Sequence, residues 1–161
     1  MYKRQIDDRL KKKYWDNVKK KPEIVILEGW CVGAKPQSSS LIKKPINILE
    51  KYEDQNLIWR KYVNERLKKE YKKLFAAIDY FIFMKTPNFG AVFKWRLLQE
   101  KKLIKKSRFK KKIMSYNEIK RFIMFYERIT LQMLKDLVKS ASIVIMLTKT
   151  HEIKRLIFRN K

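Results

Sequence analysis

The sequence predicts an α/β domain built on a mostly parallel sheet, and three observations point there. Ile24-Val25-Ile26-Leu27 is an unbroken apolar run that stops at Glu28-Gly29, the pattern of a strand buried on both faces. Three long stretches, 52–75, 89–106 and 115–138, carry apolar residues at helical spacing. Further strand-like runs lie at Ile78 to Met84, Ser142 to Leu147 and Ile153 to Phe158. The order is therefore strand, helix, strand, helix, helix, strand, an alternation that favours parallel pairing.

Residues 6–21 are charged and show no apolar face. Residues 29–47 hold Gly29, Gly33, Pro36, Ser38, Ser39, Ser40 and Pro45, which is loop chemistry. From Tyr52 to Phe75 the residues Trp59, Val63, Leu67, Tyr71 and Leu74 recur near helical spacing. Pro87 and Asn88 open the next helix, whose stripe is Phe89, Val92, Phe93, Leu97, Leu103 and Ile104. Lys105 to Lys112 reads as a basic loop. Ser115-Tyr116-Asn117-Glu118 is a capping box, in which Ser115 accepts an amide and Glu118 reaches back. The helix it starts carries Ile119, Phe122, Ile123, Tyr126, Met133, Leu134, Leu137 and Val138 on one stripe. A turn near Thr150-His151 separates the last two strands.

At 161 residues, 45% hydrophobic and 13% aromatic, the chain can bury a core as a single domain. Its charge is extreme: 41 Lys and Arg face 16 Asp and Glu, a net +25. Such a field attracts nucleic acid, anionic lipid or phosphorylated metabolites. The lysines are scattered along helices rather than confined to one block, so compositional drift toward Lys explains the charge more simply. Cys31 is the one cysteine, which leaves no disulfide framework. No apolar run approaches the ~20 residues that cross a bilayer, and no apolar segment follows the N-terminus as in a signal peptide. A cytoplasmic protein without a membrane partner is expected.

Chemistry concentrates at few positions. Ligands of open α/β sheets bind beyond the carboxyl ends of the strands. Glu28 stands there, with Gly29 to turn the backbone and Trp30 to offer a surface. Its carboxylate can orient a substrate hydroxyl or hold Mg²⁺ through water; it can also simply cap a loop or pair with a lysine. Arg96 and Glu100 fall on the apolar stripe of their helix, where charge is costly unless paired or in contact with a ligand. They read either as a phosphate-contacting arginine with its orienting carboxylate, or as an exposed i,i+4 pair contributing ~0.3–0.5 kcal/mol. The run 105–112, with Arg108, is a lid over phosphates or a solvated loop. Cys31 reads as a small packing residue and His151 as structural. Phe89, Phe93, Phe122 and Tyr126 share the apolar stripes and read as core. Neither Cys31 nor His151 has metal-ligand spacing with another such residue, so no protein-built metal site is expected. The sequence also holds no G-x-x-x-x-G-K-[ST], the loop whose amides cradle nucleotide phosphates.

Glu28-Gly29-Trp30-Cys31-Val32-Gly33-Ala34-Lys35-Pro36-Gln37 resembles the signature of the D-glycerate 3-kinase group of P-loop kinases, which is related to phosphoribulokinases and uridine kinases. Three further stretches are similar in the same order. Trp95-Arg96-Leu97-Leu98-Gln99-Glu100 resembles the family's Trp-Arg-x-x-Gln-Glu helix. Met114-Ser115, Phe122 and Tyr126-Glu127-Arg128-Ile129-Thr130 resemble its next helix. Asp7-Asp8-Arg9 looks like the end of a substrate-side element. The resemblance covers residues 6–158.

It implies a P-loop kinase-like three-layer sheet with flanking helices, from which the phosphate-loop strand is missing. It implies transfer of the ATP γ-phosphoryl, with Mg²⁺, to a small hydroxy acid such as D-glycerate. Asp8, Arg9, Gly29, Trp30 and Gln37 would bind substrate. Glu28 and Arg96 would act in catalysis, and Arg96, Glu100 and Arg108 would serve the phosphates and lid. In the family the phosphate loop precedes the stretch that begins at residue 6. Residues 6–161 are thus expected to be the C-terminal part of one kinase domain, inactive alone. Met1-Tyr2-Lys3-Arg4-Gln5 resembles a translated adapter tag, so residues 1–5 are expected to be a non-native leader. Two other readings stand beside this one: a basic nucleic-acid-binding module, suggested by the charge, and a kinase-like fold that serves as a partner without chemistry.

Overall fold

The computed structural model describes residues 2–3, 8–106 and 113–159. Arg108 lies outside them, as do the side chains of Asp8 and Arg9. A two-residue ladder pairs β1 (Tyr2–Lys3) antiparallel with β2 (Asp8–Arg9), and a 3-10 turn follows at Lys12–Tyr14. Three short helices come next: α1 (Ser39–Lys43), α2 (Ile48–Tyr52) and α3 (Ile58–Arg66). The third runs through a π turn at Leu67–Tyr71 into α4 (Lys72–Ala76). Then follow β3 (Ile82–Lys85), α5 (Phe89–Lys106), α6 (Tyr116–Ser140), β4 (Ile143–Leu147) and β5 (Ile153–Phe158).

The sheet has the order β3-β4-β5. β3 and β4 are parallel, with Ile82 opposite Ile143, and β5 returns antiparallel, with Ile143 opposite Phe158. Side chains alternate across the pleat. Phe83, Val144 and Ile157 therefore share one face, and α6 covers it. Buried Phe83, Val144, Ala34, Leu67, Met133, Leu137 and Ala141 form the core between sheet and helices.

The helices follow the sequence pattern closely. Ser115 Oγ accepts from the Glu118 amide at 3.3 Å and Glu118 Oε2 accepts from the Ser115 amide at 2.7 Å, completing the capping box. From that cap α6 buries Ile119, Ile123, Thr130, Met133 and Leu137 on a single stripe. The stretch expected as one helix over 52–75 is instead broken at 53–57, where Leu57 adopts a left-handed φ of 62° and Asp54 accepts the amides of Trp59 and Arg60. Asp54 thereby caps the start of α3.

One expectation is overturned. Ile24 to Glu28 forms no strand; the run is exposed, Ile26 at 86%. Apolar patterning reads a capacity for burial, whereas a strand also needs a neighbour to satisfy its backbone, and none among the described residues pairs with this run. Among the described residues α6 covers the Phe83 side of the sheet, and on the opposite side Ile82, Met84, Leu156 and Phe158 of the outer strands are exposed.

Candidate functional site

The loop after residue 28 is fixed by close backbone packing. Gly33 adopts φ +82°, and a Cβ there would lie 2.5 Å from Phe81 Cζ, so the Phe81 ring occupies the space that a side chain needs. Ala34 is buried beneath it, its amide donating to the Cys31 carbonyl at 3.1 Å. Burial pushes the Cys31 thiol pKa up, which keeps it protonated and unreactive, in line with a packing role. Further on, the Gln37 amide donates to Asn64 Oδ1 at 2.7 Å while Asn64 Nδ2 donates to the Gln37 carbonyl at 3.0 Å. Asn64 thus imitates a strand partner and pins the loop to α3.

This anchoring sends Trp30 onto α6. Its ring stacks on Tyr126 with centroids 4.8 Å apart and planes 12° off parallel, and its Nε1 donates to Thr130 Oγ1 at 3.2 Å. Tyr126 meets Phe122 at 5.2 Å, and the Arg96 guanidinium lies over Phe122 at 5.5 Å. Arg96, Phe122, Tyr126 and Trp30 therefore form one continuous chain of ring contacts, drawn from α5, α6 and the 29–37 loop.

Arg96 is held on two sides. Nη1 donates to Gln99 Oε1 at 2.6 Å and Nη2 to Glu100 Oε1 at 2.6 Å. Glu100 is 3% exposed and also accepts the Met114 amide at 3.2 Å, so the pair ties α5 to the start of α6. This is an i,i+4 pair, but a buried one. Among the described residues the remaining donor, Arg96 Nε, is buried and has no partner. An orphaned guanidinium N–H is costly unless something accepts from it.

The cavity beside it has a volume of about 590 Å³ and is lined by Trp30, Arg96, Trp95, Lys102 and His151 among others. Thr86, the residue after β3, is in its wall, and His151 belongs to the loop after β4. The cavity thus sits at the carboxyl ends of the two parallel strands, where open α/β sheets take ligands. His151, left-handed at φ 70°, stacks on Trp95 at 4.2 Å, and Trp95 Nε1 is fixed by the Lys149 carbonyl at 2.9 Å. The wall is aromatic and its charge cationic.

A second cavity of about 460 Å³ lies between α6 and the 35–67 region. Its three arginines are each paired with one of its three carboxylates. Arg128 donates to both oxygens of Glu50 (2.7 and 2.6 Å) and to the carbonyls of Leu41 and Lys44. Arg60 donates to Asp54 Oδ2 at 2.8 Å and to the Ile42 carbonyl at 3.0 Å. Burial opposes ionisation of Asp54, but hydrogen bonds from Arg60 and two amides outweigh it and hold the carboxyl below its usual range. Arg121 pairs with Glu53 in the same way on the surface and lowers its pKa by that hydrogen bond.

Of the residues singled out in the sequence, Trp30, Arg96 and Glu100 come together at the first cavity. Gln37 lines the second, its amide group held by Gln132 and Arg128. Glu28 and Gly29 are exposed and line neither cavity; Glu28 has no ion-pair partner among the described residues. Asp8 and Arg9 form β2, apart from the main sheet. Sequence reasoning placed Phe122 and Tyr126 in the core and missed Trp95, His151 and the Glu50–Arg60–Arg128 network. Arg60 carried a usable signal: it falls seven residues before Leu67, on the buried stripe, as Arg96 does on its own helix.

Among the described residues no group of three or more side chains could hold a metal ion, and no helix is long and apolar enough to cross a membrane. The orphaned Arg96 donor fits one anionic oxygen, but the residues present form no cradle for a triphosphate.

The chain is similar in fold to a solved structure, D-glycerate 3-kinase from Cryptococcus neoformans var. grubii serotype A, with TM-score 0.65 and 22% identity. The match covers 88% of this chain and 51% of that one, so this chain spans about half the length of that protein. At this identity the likeness shows a shared mixed α/β fold. No family model matches the sequence, and no curated protein matches it.

Proposed function

We propose that the chain forms the acceptor-and-lid side of an ATP-dependent phosphotransferase acting on a small hydroxy acid such as D-glycerate. The fold likeness supports the class, and Arg96, which lines the cavity and keeps a buried Nε without a partner among the described residues, carries the reading. Arg96 Nε donates to an anionic oxygen of the transferring group while Gln99 and Glu100 hold its two other nitrogens still. A donor fixed in advance costs no reorganisation when charge develops. Trp30 and Trp95 exclude water from that oxygen, and Lys102 adds a second positive charge. Glu28, unpaired at the edge of the same loop, remains available to orient the acceptor hydroxyl, with Gly29 giving it close backbone approach. Asp8 and Arg9 are assigned to the substrate side, Gln37 to the loop that carries Trp30, and Arg108 to the lid. ATP, with Mg²⁺, supplies the phosphoryl group when bound. These 161 residues hold no phosphate loop, so no step is derived through either, and the chain alone is expected not to turn over.

The test is calorimetric titration of 3-phospho-D-glycerate into the full chain and into Arg96→Gln, with circular dichroism to confirm that the variant is folded. The phosphorylated acid is expected to bind more tightly than D-glycerate itself, and the variant to lose at least tenfold in affinity for it. Equal binding by both proteins, or no heat with either acid, overturns the proposal.

A further inference from the structure

In the second cavity the ion pairs leave a remainder. Four cationic side chains, Lys35, Arg60, Arg121 and Arg128, line it against three carboxylates, Glu50, Glu53 and Asp54. The arginines take the carboxylates, so Lys35 is the cation left over among the described residues. The side-chain acceptors are taken as well. Both oxygens of each carboxylate, Gln37 Oε1, Gln132 Oε1 and Asn64 Oδ1 already receive hydrogen bonds. The polar side-chain atoms without a partner among the described residues can all donate: Lys35 Nζ, Trp59 Nε1, Arg121 Nε and the Tyr126 hydroxyl. The rest of the wall is rich in rings. Trp59 of α3 and Phe125 of α6 meet with centroids 6.3 Å apart and stay 64% and 44% exposed. Phe122 and Tyr126 continue that ring wall along α6.

We infer that this cavity binds a small aromatic carboxylate. Its wall offers donors, so the ligand must bring acceptors, and an organic cation would leave those donors unpaired. One unpaired cation matches one negative charge. A phosphate dianion would carry a second charge into a partly apolar site with nothing to offset it. Four rings favour a flat body, which can pack offset or edge-on against them. The volume of about 460 Å³ lies within the range of small-molecule sites. No residue lines both cavities. The inference therefore stands apart from the phosphotransferase reading: that one needs a phosphate on Arg96, and this one needs a ring against Trp59.

The probe is 2-naphthoate, with 2-naphthylmethylammonium and octanoate as controls, titrated into the full chain and followed by proton–nitrogen NMR. A 1:1 complex with 2-naphthoate is expected, moving the Trp59 indole N–H and the Gln132 side-chain amide while Trp30 and Trp95 stay in place. The ammonium compound should bind at least tenfold more weakly, because it brings no acceptor and meets Lys35. Octanoate should do the same, because it has no ring. Lys35→Gln should weaken 2-naphthoate binding about tenfold, the loss of one charge-assisted hydrogen bond. Lys68→Gln, an equal change of charge at an exposed position outside the cavity, should leave it within twofold. Val63→Trp, which fills the cavity, should abolish binding, with circular dichroism to confirm that the variant is folded. The inference fails if 2-naphthoate does not bind, if either control binds as tightly, or if folded Val63→Trp still binds. It also fails if Lys35→Gln has no more effect than Lys68→Gln, or if Trp30 and Trp95 move and Trp59 does not.

Discussion

Replacing Glu100 by alanine separates the two ways of reading an Arg–Glu pair four residues apart. Glu100 is 3% exposed and Arg96 21%, and the carboxylate serves both the guanidinium and the Met114 amide. Its removal leaves a mostly buried cation with Gln99 and the Phe122 face for company, and strands one amide. Breaking a buried pair costs about 3–5 kcal/mol. The residual exposure of Arg96 lets water reach its charge, so about 3 kcal/mol is expected here. With a urea m-value of about 2 kcal/mol/M, the unfolding midpoint falls by about 1.5 M. The assay is urea unfolding of the full chain followed by far-UV circular dichroism, run as a double-mutant cycle with Arg96→Met. The cycle should return a coupling of about 2 kcal/mol. A coupling within the ~0.3–0.5 kcal/mol of an exposed helix pair would refute the argument. Arg96 would then be free to swing, and its Nε would not be a preset donor.

Three other outcomes follow from the same contacts. Arg128→Lys should destabilise the fold by about 2 kcal/mol in the same urea assay, because one ammonium cannot hold both Glu50 oxygens and the Leu41 and Lys44 carbonyls at once. Gly33→Ala should lower the thermal midpoint, since both the left-handed φ and the Phe81 ring oppose a Cβ, at a cost of about 1–3 kcal/mol. The carboxyls of Asp54, Glu53 and Glu118 all have folded pKa values below their unfolded ones. Their contribution is therefore present above the ordinary carboxylate range and lost as pH falls through the folded values; stability measured against pH should drop on the acid side, and Asp54→Asn should flatten that limb.

How far the sequence reached depends on what each signal encodes. Local signals held: the Ser115–Glu118 box starts α6 at Tyr116, and Ile153–Phe158 is β5 residue for residue. Glu100 betrayed itself as a charge on an apolar stripe and is buried. Ile24 to Leu27 misled because patterning cannot say whether a neighbouring strand exists. Phe122 and Tyr126 sit on a helical stripe, and nothing in the spacing of that stripe distinguishes a core ring from one that stacks on a distant tryptophan. The Glu50–Arg60–Arg128 network joins α2, α3 and α6 across 78 residues of sequence. Only the folded chain brings such partners together.

The four tryptophans give the most direct test of the site. Trp30 and Trp95 line the Arg96 cavity, Trp59 lines the second one, and Trp15 lines neither. In a proton–nitrogen NMR titration with 3-phospho-D-glycerate, the indole N–H signals of Trp30 and Trp95 should move together while those of Trp15 and Trp59 stay in place. Movement of Trp59 alone, or no movement at Trp30 and Trp95 at saturating ligand, would contradict the assignment.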